Sequence, residues 1–219
     1  MSARTRVKIC CISSLDEARM AISAGADALG FVAAMASEPG LVDDATIRAI
    51  TTDVPPPLAT FLLTARGSGV DMADHMRRCG TNTIQIVDHI DPAELAVLAV
   101  SLPLARRVQV IHVEGPSALD LIPRYEPYVH AFLLDSGTPG GTMRELGGTG
   151  RIHDWDVSRA FVQRTIRPVF LAGGLTAGNV GEAIRQVRPF GVDLCSGVRT
   201  DGRLDQAKLD AFMAAVASA

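Results

Sequence analysis

Eight short runs of apolar, β-prone residues alternate along this chain with longer stretches of helical period, and this alternation restricts the fold more than any other feature. The runs cover 6–12, 27–32, 58–63, 83–87, 107–113, 130–135, 168–172 and 192–195. Between them lie stretches of helical spacing, including 72–79, 92–101 and 179–187, and 204–216 closes the chain. A capping Ser13 or Ser14 precedes the first helix, in which Leu15, Ala18, Ala21 and Ile22 share one face before Gly25 ends it. Strands that alternate with helices pair in parallel. Eight such units favour closure into a barrel over an open doubly wound sheet. The expectation is an α/β fold, a (β/α)8 barrel, as a single domain over residues 1–219 with no linker or composition shift to divide it.

Composition agrees with that fold. Hydrophobic residues make up 47% and aromatics only 5%, so Ala, Val, Leu and Ile must fill the core, as a tightly packed parallel sheet under helices requires. The net charge is −3 with no basic run, which argues against a nucleic-acid partner. No apolar run approaches the roughly 18 residues of a membrane span. Met1-Ser2-Ala3-Arg4 lacks the apolar segment of a secretory signal, so a cytoplasmic protein with no membrane partner is expected. The cysteines Cys10, Cys11, Cys79 and Cys195 show no metal-binding spacing. They are expected to be reduced thiols, with no bound metal.

In barrels of this kind the loops after the last two strands commonly hold a phosphate. Val169-Phe170-Leu171-Ala172 runs directly into Gly173-Gly174, ahead of a helix near Asn179. Cys195-Ser196-Gly197-Val198 repeats the arrangement one strand later, with Ser196 offering a hydroxyl. Glycines let backbone N–H groups approach an anion closely. Either motif alone is an ordinary tight turn. Two at consecutive strand ends point to a phosphorylated small-molecule ligand bound by Gly173, Gly174, Ser196 and Gly197.

Titratable groups at the same ends of the strands are candidates for chemistry. The first strand carries Lys8, Cys10 and Cys11, the sixth ends at Asp135, and the eighth carries Asp193. Alternation along a strand puts Lys8 and Cys10 on one inward face and turns Cys11 to the other. An inward thiol opposite a carboxylate suits general base and general acid, Cys10 and Asp135 respectively. Position alone favours Cys10 as plain core and leaves Asp135 open as a helix-capping or structural carboxylate.

Taken together, several stretches resemble phosphoribosylanthranilate isomerases, the barrel enzymes of tryptophan biosynthesis. They are Lys8-Ile9-Cys10, the run from Ala24 to Val32, and Leu133-Leu134-Asp135-Ser136. Gly147-Gly148-Thr149-Gly150 with Asp154-Trp155, Leu171-Ala172-Gly173-Gly174-Leu175, and the run from Arg188 to Val198 complete the set, in order from end to end. The resemblance implies a cofactor-free Amadori rearrangement of N-(5-phosphoribosyl)anthranilate. In it Asp135 protonates the ring oxygen and Cys10 removes the C2 proton. Lys8, Gln85 and Asp193 are expected to touch substrate, and the chain to be a monomer or homodimer.

The sequence departs from that family at four places. Cys11 stands at a position where the family has glycine. The loop 34–40 carries Glu38 and lacks the family's arginine for the anthranilate carboxylate. The third strand ends Leu63-Thr64 instead of Val-Asn, and the fourth reads Gln85-Ile86-Val87-Asp88-His89 in place of Gln-Leu-His-Gly. A divergent paralogue that binds or isomerises a different phosphorylated sugar or aminosugar is the alternative. Arg66, Arg144 and Arg151 are candidate substitute cations, although a solvated surface charge is the expected role of each. His89 and His112, near strand ends, are expected to be structural.

Overall fold

The computed structural model describes residues 4–33, 41–136 and 153–219. Its eight barrel strands are β1 (Arg6–Ile9), β2 (Ala28–Ala33), β3 (Ala59–Thr64), β4 (Thr83–Ile86), β5 (Arg106–His112), β6 (Ala131–Asp135), β7 (Val169–Leu171) and β8 (Gly191–Leu194). Every neighbouring pair is parallel, and β1 pairs with both β2 and β8, so the sheet closes on itself. A two-residue strand, Leu41–Val42, adds to the outer end of β2.

One helix follows each strand: α1 (Leu15–Ser23), α2 (Asp44–Asp53), α3 (Gly69–Cys79), α4 (Pro92–Ser101), α5 (Ile122–Tyr125), α6 (Trp155–Arg164), α7 (Val180–Val187) and α8 (Gln206–Ala217). Side-chain oxygens of Ser14, Asp43, Ser68, Asp91, Asp154 and Asp205 cap six of them. Each satisfies N–H groups that the first helical turn leaves without partners. The fifth unit is reduced to the single turn of α5, entered through a 3-10 segment at Pro116–Leu121. No helix among the described residues is long and apolar enough to cross a membrane.

Strand alternation sorts the apolar residues into two cores. Val32, Leu63, Val110, Leu133 and Phe170 face the barrel interior. Phe31, Leu62, Ile111, Phe132 and Leu134, their neighbours in sequence, pack under the helices. Phe61 and Phe170 meet edge to face at 5.8 Å inside the barrel. This packing leaves the C-terminal strand ends to polar side chains.

The first strand is shorter than its apolar run suggested. It ends at Ile9 because Cys11 takes a left-handed conformation, φ 61°. Cys11 therefore does not turn outward as strict alternation requires. It joins Cys10 in the interior cluster, which corrects the expectation from sequence. A side chain in this region of backbone space costs on the order of 1 kcal/mol.

Candidate active site

The inward face of β1 meets that of β8 residue for residue, with Lys8 opposite Asp193. Lys8 is fully buried, and its Nζ donates to Asp193 Oδ2 at 2.8 Å. Gly30 on β2 makes this arrangement possible. A Cβ there would lie 2.8 Å from Cys10 Sγ and 3.0 Å from Lys8 Nζ. Phe61 lies beneath the ammonium, 5.2 Å from ring centre to Nζ, a favourable cation–π contact.

Cys10 sits beside this ion pair. Burial pushes its thiol up to about 11, opposed by the charge and hydrogen bond of Lys8. Burial acts against the charge of Lys8, but Asp193 and Cys10 more than offset it and raise the ammonium above its ordinary value. Asp135 ends β6 on the interior row that also carries Leu133. Burial raises its carboxyl above the ordinary range, with the Ser136 N–H and His112 pulling the other way. Lys8 and Asp193 act electrostatically on both Cys10 and Asp135, so the four groups form one network.

His112 belongs to that network although its position in sequence gave it only a structural part. It pairs in register with Asp135, and its Nε2 contacts the carbonyl of Val87 at 2.8 Å. Its inward direction follows from counting Val108, Val110, His112 along β5. Gln85 on β4 lies in register between the interior residues Leu63 and Val108. Among the described residues, Gln85 Oε1, His112 Nδ1 and Asp193 Oδ1 are buried without a hydrogen-bond partner. Buried polar atoms rarely go unpaired, so these are candidate contacts for a polar ligand.

The two glycine motifs pack against each other at the ends of β7 and β8. Gly173 and Gly174 are both left-handed, φ 85° and 63°. Asn179 braces this turn, accepting from Thr176 N–H at 2.8 Å and donating to the Gly174 carbonyl at 2.9 Å. Gly197 packs against it so tightly that a Cβ would fall 2.1 Å from the Leu175 carbonyl oxygen. The short turn Ser196–Val198 leaves Ser196 exposed beside it.

A clamp between Arg199 and Glu17 was not visible in the sequence. The almost buried Arg199 pairs with Glu17 at 2.8 Å and also donates to the carbonyls of Cys10 and Cys11. Burial disfavours the Glu17 carboxylate, but Arg199 and the N–H groups of Leu204 and Ser13 hold it below its ordinary value. A further difference from expectation lies alongside. Cys11 and Cys195 form a disulfide, whereas Cys10 and Cys79 are free. Their loops are brought together by barrel closure, which local sequence patterns cannot reveal.

The one metal-capable group found among the described residues lies elsewhere, where Asp44, His75 and Cys79 fall within 4.8 Å of one another. Asp44 also accepts from Arg78, and His75 from Arg66, so the group is a self-contained hydrogen-bonded unit between α2 and α3. That contact accounts for Arg66. Glu38, Arg144, Arg151 and the Gly147–Gly150 stretch lie outside the described residues.

Comparison with known proteins bears on what this constellation is. The family model for N-(5'-phosphoribosyl)anthranilate (PRA) isomerase matches residues 7–215. The chain belongs to the PRA isomerase family. A PRA isomerase of Moorella thermoacetica is 37% identical over 217 residues, covering 98% of this chain and 90% of the relative. PRA isomerase 2 of Methanosarcina mazei is 33% identical over 210 residues, or 95% and 92% of the two chains. Among solved structures, the PRA isomerase of Thermus thermophilus superimposes with a TM-score of 0.84 at 27% identity, covering 98% and 99% of the two chains. That of Thermococcus kodakaraensis gives 0.81 at 31% identity, covering 98% and 100%. PRA isomerase relatives thus span the whole barrel, including both glycine motifs and the strands that carry Cys10 and Asp135.

Proposed function

We propose that this chain catalyses the cofactor-free Amadori rearrangement of N-(5-phosphoribosyl)anthranilate to 1-(2-carboxyphenylamino)-1-deoxyribulose 5-phosphate, a step of tryptophan biosynthesis. The observation that carries the proposal is the single electrostatic network of Cys10, Asp135, Lys8 and Asp193 in a parallel barrel whose last two strands run into the paired glycine turns. Backbone and hydroxyl groups at Gly173, Gly174, Ser196 and Gly197 hold the phosphate and so fix the sugar between acid and base. The buried acceptors Gln85 Oε1 and Asp193 Oδ1 suit sugar hydroxyls.

Protonated Asp135 gives its proton to the furanose ring oxygen. The C1–O bond breaks as the nitrogen lone pair forms an iminium at C1. Cys10, as thiolate, then takes the C2 proton, and the C2–H electrons move into the C1–C2 bond. The resulting enolamine loses its 2-hydroxyl proton and gains one at C1, which leaves the ketone. The substrate's own iminium is the electron sink. Lys8 stabilises the thiolate, and the ion pair with Asp193 keeps that charge in place.

The test is purified protein with substrate generated in place, following the loss of anthranilate-type fluorescence. Turnover is expected in the parent, with a drop of about 10²–10⁴-fold in Asp135→Asn and in Cys10→Ser. A folded parent protein with no turnover above background refutes the proposal. The loop 34–40, which has Glu38 and no arginine, favours a second reading, in which a different phosphorylated aminosugar is isomerised. A substrate without the ring carboxylate distinguishes the two, because turnover then exceeds that of the anthranilate compound.

A further inference from the structure

Cys11 and Cys195 take no part in the acid–base scheme, yet they join the two loops on which it depends. Cys11 directly follows the proposed base, and Cys195 directly precedes Ser196-Gly197 of the phosphate grip. Their Cα atoms are 5.9 Å apart, a spacing a disulfide spans without backbone movement. Cys11 is brought into this position by its left-handed backbone, which turns it into the interior cluster. Cys195 remains partly exposed at the barrel mouth, while Cys11 and Cys10 are buried.

We propose that Cys11 and Cys195 form an oxidative modification site that takes low-molecular-weight disulfides and, once closed, ties the base-bearing loop to the phosphate-binding loop. The partly exposed Cys195 reacts first. Its thiolate attacks one sulfur of the small disulfide, forming a mixed disulfide and releasing one small thiolate. Cys11 loses its proton, attacks the Cys195 sulfur and displaces the second small thiolate. Two protein thiols give up two electrons and two protons, and the small disulfide becomes two thiols. Cys10 stays out of the exchange because burial keeps its thiol protonated at neutral pH.

The turn is expected to survive reduction, because Arg199 holds the carbonyls of Cys10 and Cys11 through hydrogen bonds separate from the sulfur bond. Closing the bond therefore adjusts an assembled site, and its effect falls on substrate binding. This catalytic consequence rests on the proposed isomerase activity, whereas the bond itself does not.

The experiment treats the full chain with oxidised glutathione, alkylates free thiols, and maps the cysteines by mass spectrometry. The expected product has a Cys11–Cys195 link, with Cys10 and Cys79 alkylated and no retained glutathione. Reduction is expected to raise KM by about fivefold or more with kcat little changed. Cys195→Ser is expected to show the higher KM under both conditions. Affinity for inorganic phosphate, measured in both redox states, reads the same coupling without turnover and separates its failure from absence of the isomerase activity. A stable glutathione adduct on Cys195, a link involving Cys10, or identical KM and phosphate affinity in the mapped oxidised and reduced forms overturns the proposal.

Discussion

Raising the pH probes the acid–base pair most directly, because burial pushes the Cys10 thiol up to about 11 against the pull of Lys8. At pH 7 the thiol then lies about four units below its midpoint, so only on the order of 10⁻⁴ of it is ionised, an unfavourable gap of about 5 kcal/mol. In the proposed mechanism the form that reacts has Asp135 protonated and Cys10 ionised. The resting form has the reverse, and both hold one proton between the two groups. Their ratio is therefore independent of pH, and kcat/KM follows the whole one-proton window. It should climb as pH passes through the raised midpoint of Asp135, level off above it, and fall only near pH 11. Stability moves in the same range. The Cys10 midpoint is raised from 9.0, so its contribution is complete below about pH 9 and is lost as pH rises toward 11. That loss amounts to about 3 kcal/mol, so circular dichroism must accompany each rate. The rate assay is anthranilate-type fluorescence, with iodoacetamide alkylation mapped to Cys10 as the independent titration. An alkaline limb at or below the ordinary thiol value of 9.0, matched by the alkylation profile, would refute the reasoning.

Lys8→Met should destabilise the fold by about 3–5 kcal/mol, because Asp193 is left charged and buried without its cation. A denaturant midpoint at pH 7 measures this, and adding Asp193→Leu should recover most of the loss. Gly197→Ala forces a Cβ onto the Leu175 carbonyl oxygen, 2.1 Å away, and parts the two glycine turns. A cost of about 1–3 kcal/mol in thermal unfolding is expected, together with a raised KM. Unchanged KM would remove Gly197 from the phosphate grip.

The eight strands were legible because each is a short apolar run with a helix start or a glycine behind it. In β7 and β8 the glycine turns follow immediately, so the adjacent turns proposed to hold phosphate could be marked in advance. Cys10 and Asp135 were legible through inward alternation, and His112 was available to the same count along β5. What local pattern could not supply were partnerships across the barrel. Arg199 is 182 residues from Glu17, and Cys195 is 184 from Cys11. The turn at Cys11 was hidden for a different reason, since the residue itself disfavours the left-handed conformation that the structure gives it.

Those long-range partnerships share one location, the seam where β1 pairs with β8 and the barrel closes. The Lys8–Asp193 ion pair, the Cys11–Cys195 bond and the Arg199–Glu17 clamp all cross it. Pairing of the first and last strands carries a large loop-closure cost, so such a seam needs local reinforcement if the loops above it are to keep their spacing. The proposed chemistry places its base at the end of β1 and its phosphate grip after β8, so that spacing is the distance between the reacting carbon and its anchor. A phosphate held by β7 and β8 presents C2 to Cys10 only while β1 stays in register. On the proposed mechanism, the contacts that close the barrel are also the contacts that set the spacing between base and phosphate. Loosening any of them should lower kcat/KM before it unfolds the chain.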